Sequence, residues 1–289
     1  MDLFKHPLWH RQADITLVSM VVKINPRDTN YNKTKGWYLK YLLIWMGALF
    51  FSTTAMAQLE VLISGGFSGP YKQILPQFER STGIAVTSLS GASQGSGPKT
   101  IKAQLAAGAS PDVVILSREG LSELMAAGKI QPGSDVDLAT APLGAAVPTG
   151  IPKPDISTVP ALKQSLLKIK SIVVPGSTSG IYLTTEVFPH MGIADQITVR
   201  VTERGSEATA LLAAKEVGIA IQPSSELANV PGIDYIGPLP KEVQLIQTFA
   251  AAIVKDAKHS ESASKLIQLL SSPIAAQAIQ HWGMNTIQR

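Results

Sequence analysis

The chain contains no cysteine. Disulfides, thiolate metal sites, a cysteine nucleophile and a lipid-modified N-terminal cysteine are thereby excluded. Aromatic residues are scarce at 6%, and charged residues reach only 16% against 45% hydrophobic. That balance excludes a disordered chain, and 289 residues suffice for two ordinary lobes with their own cores. An excess of one charge is also missing where it would count. Residues 1–57 hold seven basic and three acidic side chains, leaving eighteen of each in the remainder, so the net charge of +4 belongs to the N-terminus. A neutral remainder gives no footprint for a nucleic-acid partner.

Long hydrophobic runs are lacking too. The apolar stretch Tyr41–Phe51 is well short of the roughly 20 residues that span a bilayer. Lys33, Lys35 and Lys40 precede it, and Ala55 and Ala57 stand at the −3 and −1 positions before Gln58. This is the layout of a secretory signal peptide cleaved after residue 57. Residues 1–57 are therefore read as an N-terminal extension and signal peptide. A mature chain from Gln58 is expected in the periplasm of a Gram-negative bacterium, not as a lipoprotein.

From Leu59 short apolar runs alternate with helical periods, the pattern of an α/β protein. Strands are expected at Leu59–Ser64, Ile84–Leu89, Asp112–Leu116, Ser171–Val174, Val199–Val201, Val217–Ile221 and within Val243–Val254. Helices are expected after Pro70, at Pro98–Ala107, Leu121–Ala127, Gly180–Met191, Ser206–Lys215, Ser260–Leu270 and Pro273–His281. The proline-rich stretch Gly144–Pro160 should hold a strand and a crossing segment. The two βα series on either side of it suggest one lobe built from residues 58–149 and 241–289, with a second lobe, 150–240, inserted.

In open parallel sheets ligands sit beyond the C-terminal strand ends, where helix starts present free N–H groups. Four loops of this kind stand out. Ser64, Gly65, Gly66, Phe67 and Ser68 combine close backbone approach with uncharged donors. The Gly/Ser-rich loop around Ser93 and Gln94 precedes Lys99, which is either plain surface or faces an anion. Ser117 and Arg118 end a buried strand, Arg118 being either a carboxylate clamp or a solvated residue. Ser177, Thr178, Ser179, Gly180 and Tyr182 concentrate hydroxyls at one helix start, enough to hold an oxyanion by dipoles. Gln222 ends a further strand, and Arg204 lies in a charged loop from which it can reach a bound acid.

Conventional catalysis is poorly served. The nucleotide P-loop, the G-x-S-x-G elbow and H-E-x-x-H are all absent, and the mature chain keeps only His190, His259 and His281, none at ligand spacing in sequence. No metal and no cofactor are expected.

The segments ISGGFSGPYKQILPQFER, SPDVVILSREGLSELMAAGKI, PGSTSGIYLTTEVFPHMGIAD, VGIAIQPSSEL and GPLPKEVQ occur in that order. Together they resemble the ModA-like periplasmic substrate-binding proteins of ABC transporters over about residues 59–285. The resemblance implies a type II periplasmic binding-protein fold: two lobes, each a mostly parallel sheet flanked by helices, with the ligand cleft between them. It also implies a small anionic solute, an inner-membrane ABC permease as partner, and a monomer. Molybdate binders of this family show a serine at the place of Gly66 and a tyrosine at the place of Gln222. Both departures point away from molybdate, and the GSTSGIY loop and Ile-Gln-Pro strand end resemble a divergent branch similar to aconitate isomerase, an enzyme on the same scaffold. Two functions stay open: a transport receptor using Ser64, Ser68, Ser93, Ser117, Ser177, Ser179 and Gln222 as neutral donors, and an isomerase of an unsaturated tricarboxylate. The second needs a base, for which Tyr182, Glu207 and Glu226 are candidates.

Overall fold

The computed structural model describes residues 58–287; the expected signal peptide lies outside the described residues. Strand β1 (Gln58–Ser64) pairs in parallel with β2 (Ala85–Gly91) and β3 (Val113–Ser117). All five residues of β3 are buried, as a strand covered on both faces requires. Three further strands, β5 (Ser171–Pro175), β6 (Thr198–Thr202) and β7 (Ile219–Pro223), form a second parallel set. Two antiparallel strands join the sets: β4 (Val136–Pro148) and β9 (Ile246–Ile253). The order is β2-β1-β3-β9-β4-β7-β5-β6, with β8 (Ile233–Pro238) and β10 (Asn285–Thr286) paired to β4 off this path. The expected two-lobed α/β fold is the observed one.

Strand β4 serves both lobes. Residues 136–142 pair with β9, whereas 143–148 pair with β7 and β8. The return path, residues 239–245, lies beside this change of partner. There the Gln244 side chain accepts from the Leu143 N–H at 2.6 Å and donates to the carbonyls of Leu143 and Leu239 at 3.0 and 3.1 Å. Leu239 N–H donates to the same Leu143 carbonyl at 3.0 Å. Both crossings are therefore stitched together at one level.

Each lobe has its own core. Around β1 and β3, Phe67, Tyr71, Phe78, Phe249 and Leu266 pack under helices Ser68–Thr82 and Ser260–Leu270. Around β5 and β7, Leu162, Leu166, Ile172, Val174, Phe188 and Ile221 do the same under helix Val159–Ile169. Three local readings need correction. The helix expected from Pro98 starts at Ile101, because the Thr100 hydroxyl caps it by accepting from the Ala103 N–H. Lys99 thus precedes the helix. The helix expected over Gly180–Met191 is broken, since Thr178–Tyr182 runs into a wider π-type turn at Leu183–Val187 before Pro189. Finally, β4 begins at Val136, upstream of the expected strand, and β8 was not expected at all.

Candidate functional site

The C-terminal ends of β1, β3, β5 and β7 converge where the lobes meet. A cavity there is lined by Ser64, Gly65, Ser93, Ser177, Arg204, Gly205, Glu226, Gln247 and Phe249, among others, and is nearly shut, with about 10 Å³ of free volume. Beside it a larger recess of about 500 Å³ is lined by Gln94–Gly97, Lys99, Gly176, Gly180, Thr202 and Glu203. Residues from both lobes face both spaces.

Several buried polar atoms here have no partner among the described residues: Ser64 Oγ, Ser179 Oγ, Gln222 Oε1, Ser225 Oγ and Gln247 Oε1. Leaving such groups unpaired costs about 1–3 kcal/mol each, so those that line a cavity mark a site and not a core. Ser64 and Gln247 line the cavity itself.

The expected site residues divide into three groups. Ser64, Gly65, Ser93, Ser177 and Arg204 line the small cavity. A second group closes the lobes on each other. Ser93 Oγ accepts from the Ser117 N–H at 2.9 Å, and Ser117 Oγ accepts from the Gly120 N–H at 3.2 Å. Ser117 Oγ meets Thr178 Oγ1 across the interface at 2.9 Å. Thr178 donates to Gln94 Oε1 at 2.7 Å, and Gln94 Nε2 donates to Glu123 Oε1 at 2.6 Å. This last bond, more than the Lys102 ammonium, holds the Glu123 carboxyl below the usual range. Gln222 is fully buried and donates to the Glu226 carbonyl at 3.3 Å. Ser179 is buried next to Gly180, where any Cβ would overlap the Pro175 carbonyl.

The third group has structural duties instead. Phe67 is fully buried in the core, and burying a ring of that size stabilises by about 1.5–3 kcal/mol, which fixes it as an anchor. Gly66 lies against Phe249, whose ring occupies the place that a side chain at 66 would take. Ser68 donates to the Gly65 carbonyl at 2.7 Å and steadies the loop. Tyr182 packs on the second core and lines neither space. Arg118 is no ligand clamp. Its guanidinium is held by Asp135 at 2.7 Å and Asp137 at 2.7 Å, so its bidentate capacity is already used. Lys99 is likewise engaged, bridging the lobes to Glu203 at 2.8 Å and Glu207 at 2.9 Å. The Lys99 bond, with help from Arg204, holds Glu207 ionised below its ordinary range.

Glu226 emerges as the distinctive group. Among the described residues it is the single carboxylate lining the small cavity, as Arg204 is the single cation. Its carboxyl abuts Gly65, whose Cβ would lie 2.7 Å from Glu226 Oε2, and Gly205, where any side chain would overlap it. Two glycines thus open the space that it fills. No hydrogen bond or ion pair to this carboxyl forms among the described residues, and burial pushes it up to about 7. The sequence carries only a weak pointer to it and none to Gln247, whose position depends on β9 returning beside β4. Away from the cleft, His259 donates its backbone N–H to Asp112 Oδ1 at 2.8 Å and places Nδ1 3.2 Å from Oδ2. That contact ties chain segments at the opposite strand ends. Among the described residues no cluster of metal-ligating side chains occurs, and no helix is long and apolar enough to cross a membrane.

Comparison with known proteins places this geometry. The chain is 34% identical over 249 residues to an aconitate isomerase of Pseudomonas sp., covering 84% of this chain and 95% of that protein. The periplasmic molybdate-binding protein of Azotobacter vinelandii shares the fold, with a TM-score of 0.65, 20% identity, and coverage of 80% of this chain and 100% of that one. L-phospholactate-bound PEB3, a Campylobacter jejuni protein, gives 0.62 at 18% identity over 79% and 100%. The ModA-like resemblance is thus borne out at the level of fold. A match to the bacterial extracellular solute-binding family runs over residues 59–285, from β1 through β10. The chain belongs to the bacterial extracellular solute-binding proteins.

Proposed function

We propose that the protein is a periplasmic receptor for a small polycarboxylate, which it encloses between its lobes and presents to an inner-membrane ABC permease. Export by the N-terminal signal peptide and a lobe division near 58–149 with 241–289 and 150–240 belong to this reading. The observation that carries it is the cavity between strand ends where Arg204 stands beside the unpartnered Ser64 hydroxyl. A planar guanidinium matches a carboxylate, and neutral hydroxyls and amides bind further oxygens without adding charge.

A carboxylate suits the site better than molybdate. The serine typical of molybdate binders has no room at position 66, because the Phe249 ring fills that space. Glutamine stands at 222 in place of tyrosine. The cavity is too small for a tricarboxylate until the lobes part, so binding requires opening at β4 and residues 239–245 and then reclosure. Similarity to the Pseudomonas aconitate isomerase makes aconitate the first solute to try.

Calorimetric titration with trans-aconitate, citrate, sulfate and molybdate tests the reading. Expected is a Kd in the micromolar range or below for a polycarboxylate, at least tenfold tighter than for either inorganic oxyanion, and lost by at least tenfold in Arg204→Ala. Preference for molybdate, or an unchanged Kd in Arg204→Ala, would refute it. A second reading, turnover of the bound acid, is favoured by the position of Glu226.

A further inference from the structure

We propose that Glu226 is the base of a 1,3-proton shift on a bound unsaturated polycarboxylate, so that the cleft converts its guest as well as enclosing it. This inference rests on the reading of the cavity as a carboxylate site. Binding alone does not explain Glu226. A receptor for anions is weakened by a carboxylate in its cavity, and nothing among the described residues neutralises this one. Gly65 and Gly205 are both needed to admit it, which reserves the position for a group of that length.

The surroundings also separate it from the other candidates. Glu207 is held by Lys99 at 2.9 Å and by Arg204 at 3.3 Å, and Tyr182 packs on the core away from the cavity. The charged group lining the cavity with Glu226 is Arg204, on the loop before helix Gly205–Ala213; Glu207 is on that helix, and Tyr235 is on neighbouring β8. Tyr235 is itself raised by burial and stays neutral at physiological pH. Desolvation without a partner places Glu226 near neutrality, where a carboxyl can both take and return a proton.

The step conserves atoms and electrons. The ionised carboxyl removes a proton from the methylene carbon of the bound acid, and the C–H electron pair becomes the new double bond to the central carbon. The former π pair moves to the far carbon, producing a delocalised carbanion conjugated with its carboxylates. Protonated Glu226 then delivers the proton to that far carbon. Arg204, with the hydroxyls of Ser64 and Ser177 on the cavity wall, stabilises the charge spread onto carboxylate oxygens. No oxidant or cofactor takes part, and the base is regenerated.

The test uses trans-aconitate with the purified protein in D2O, following conversion by chromatography and deuterium by mass spectrometry, with calorimetric binding measured in parallel. Expected for the unaltered protein is formation of cis-aconitate that largely keeps the abstracted proton, deuterium entering only as far as protonated Glu226 exchanges with solvent before the return. Glu226→Gln should bind trans-aconitate at least as tightly as the unaltered protein yet convert it at least 100-fold more slowly. Glu226→Asp, which keeps the carboxyl, should fall between them. Tight binding by the unaltered protein without conversion, or conversion undiminished in Glu226→Gln, would overturn the base while leaving the carboxylate receptor intact. Absence of binding would overturn both readings.

Discussion

Glu226 makes a stability signature at the scale of one residue. Its carboxyl titrates near 7 in the folded chain against an ordinary value of 4.5. Between those values the unfolded chain releases a proton that the folded one keeps, so the unfolded state binds fewer protons and stability falls as pH rises. Below 4.5 both states are protonated and the cost vanishes; above about 7 it levels off, on the order of 3 kcal/mol. Glu226→Gln should therefore match the unaltered protein in Tm near pH 4 and exceed it by several degrees at pH 8. Other carboxylates cancel in the difference between the two melting curves. A difference that does not change with pH would show that the burial cost lies elsewhere.

Among elements, the loop before helix Ile101–Ala106 carries the clearest consequence. Its Lys99 pairs with Glu203 and Glu207, although all three side chains keep substantial solvent contact. Exposed pairs of this kind are worth under about 1 kcal/mol each and weaken with salt. Lys99→Ala should loosen trans-aconitate binding about two- to fivefold in 20 mM salt, and the gap should close in 0.5 M salt. An equal loss at both concentrations would mean that Lys99 acts through packing. The same loop illustrates what sequence could and could not convey. Strands such as β3 and β7 were legible because buried parallel strands are continuous apolar runs, and helix Ser260–Leu270 because its apolar face repeats at helical spacing. Strand β4 was half hidden by alanine, glycine and an internal proline, residues with little strand preference, and is specified by partners on both sides. The four loops of the cleft were readable from glycine and hydroxyl content. Which hydroxyls face the cavity was not, because Ser177 and Thr178 diverge only when the opposite lobe is in place.

For the molecule as a whole, the two neighbouring crossings are the joint between the lobes. Gln244 makes three hydrogen bonds there, to Leu143 and Leu239. Gln244→Ala should destabilise the fold by about 2 kcal/mol, leaving Leu143 N–H with only its bond to Leu245. A Tm fall of about 4–8 °C checks it; no fall would mean that water replaces the amide at no cost. The hydroxyl of Thr178 has a wider consequence. It has one proton and gives it to Gln94, so Ser117 must donate to Thr178 while receiving from the Gly120 amide. The Gln94 amide in turn is oriented by Glu123, a pure acceptor when ionised. Shutting the lobes therefore aligns a row of protons that all point one way, from a helix start to a surface carboxylate. Such a row has polarity, and neutralising Glu123 in strong acid would remove the acceptor that sets its direction.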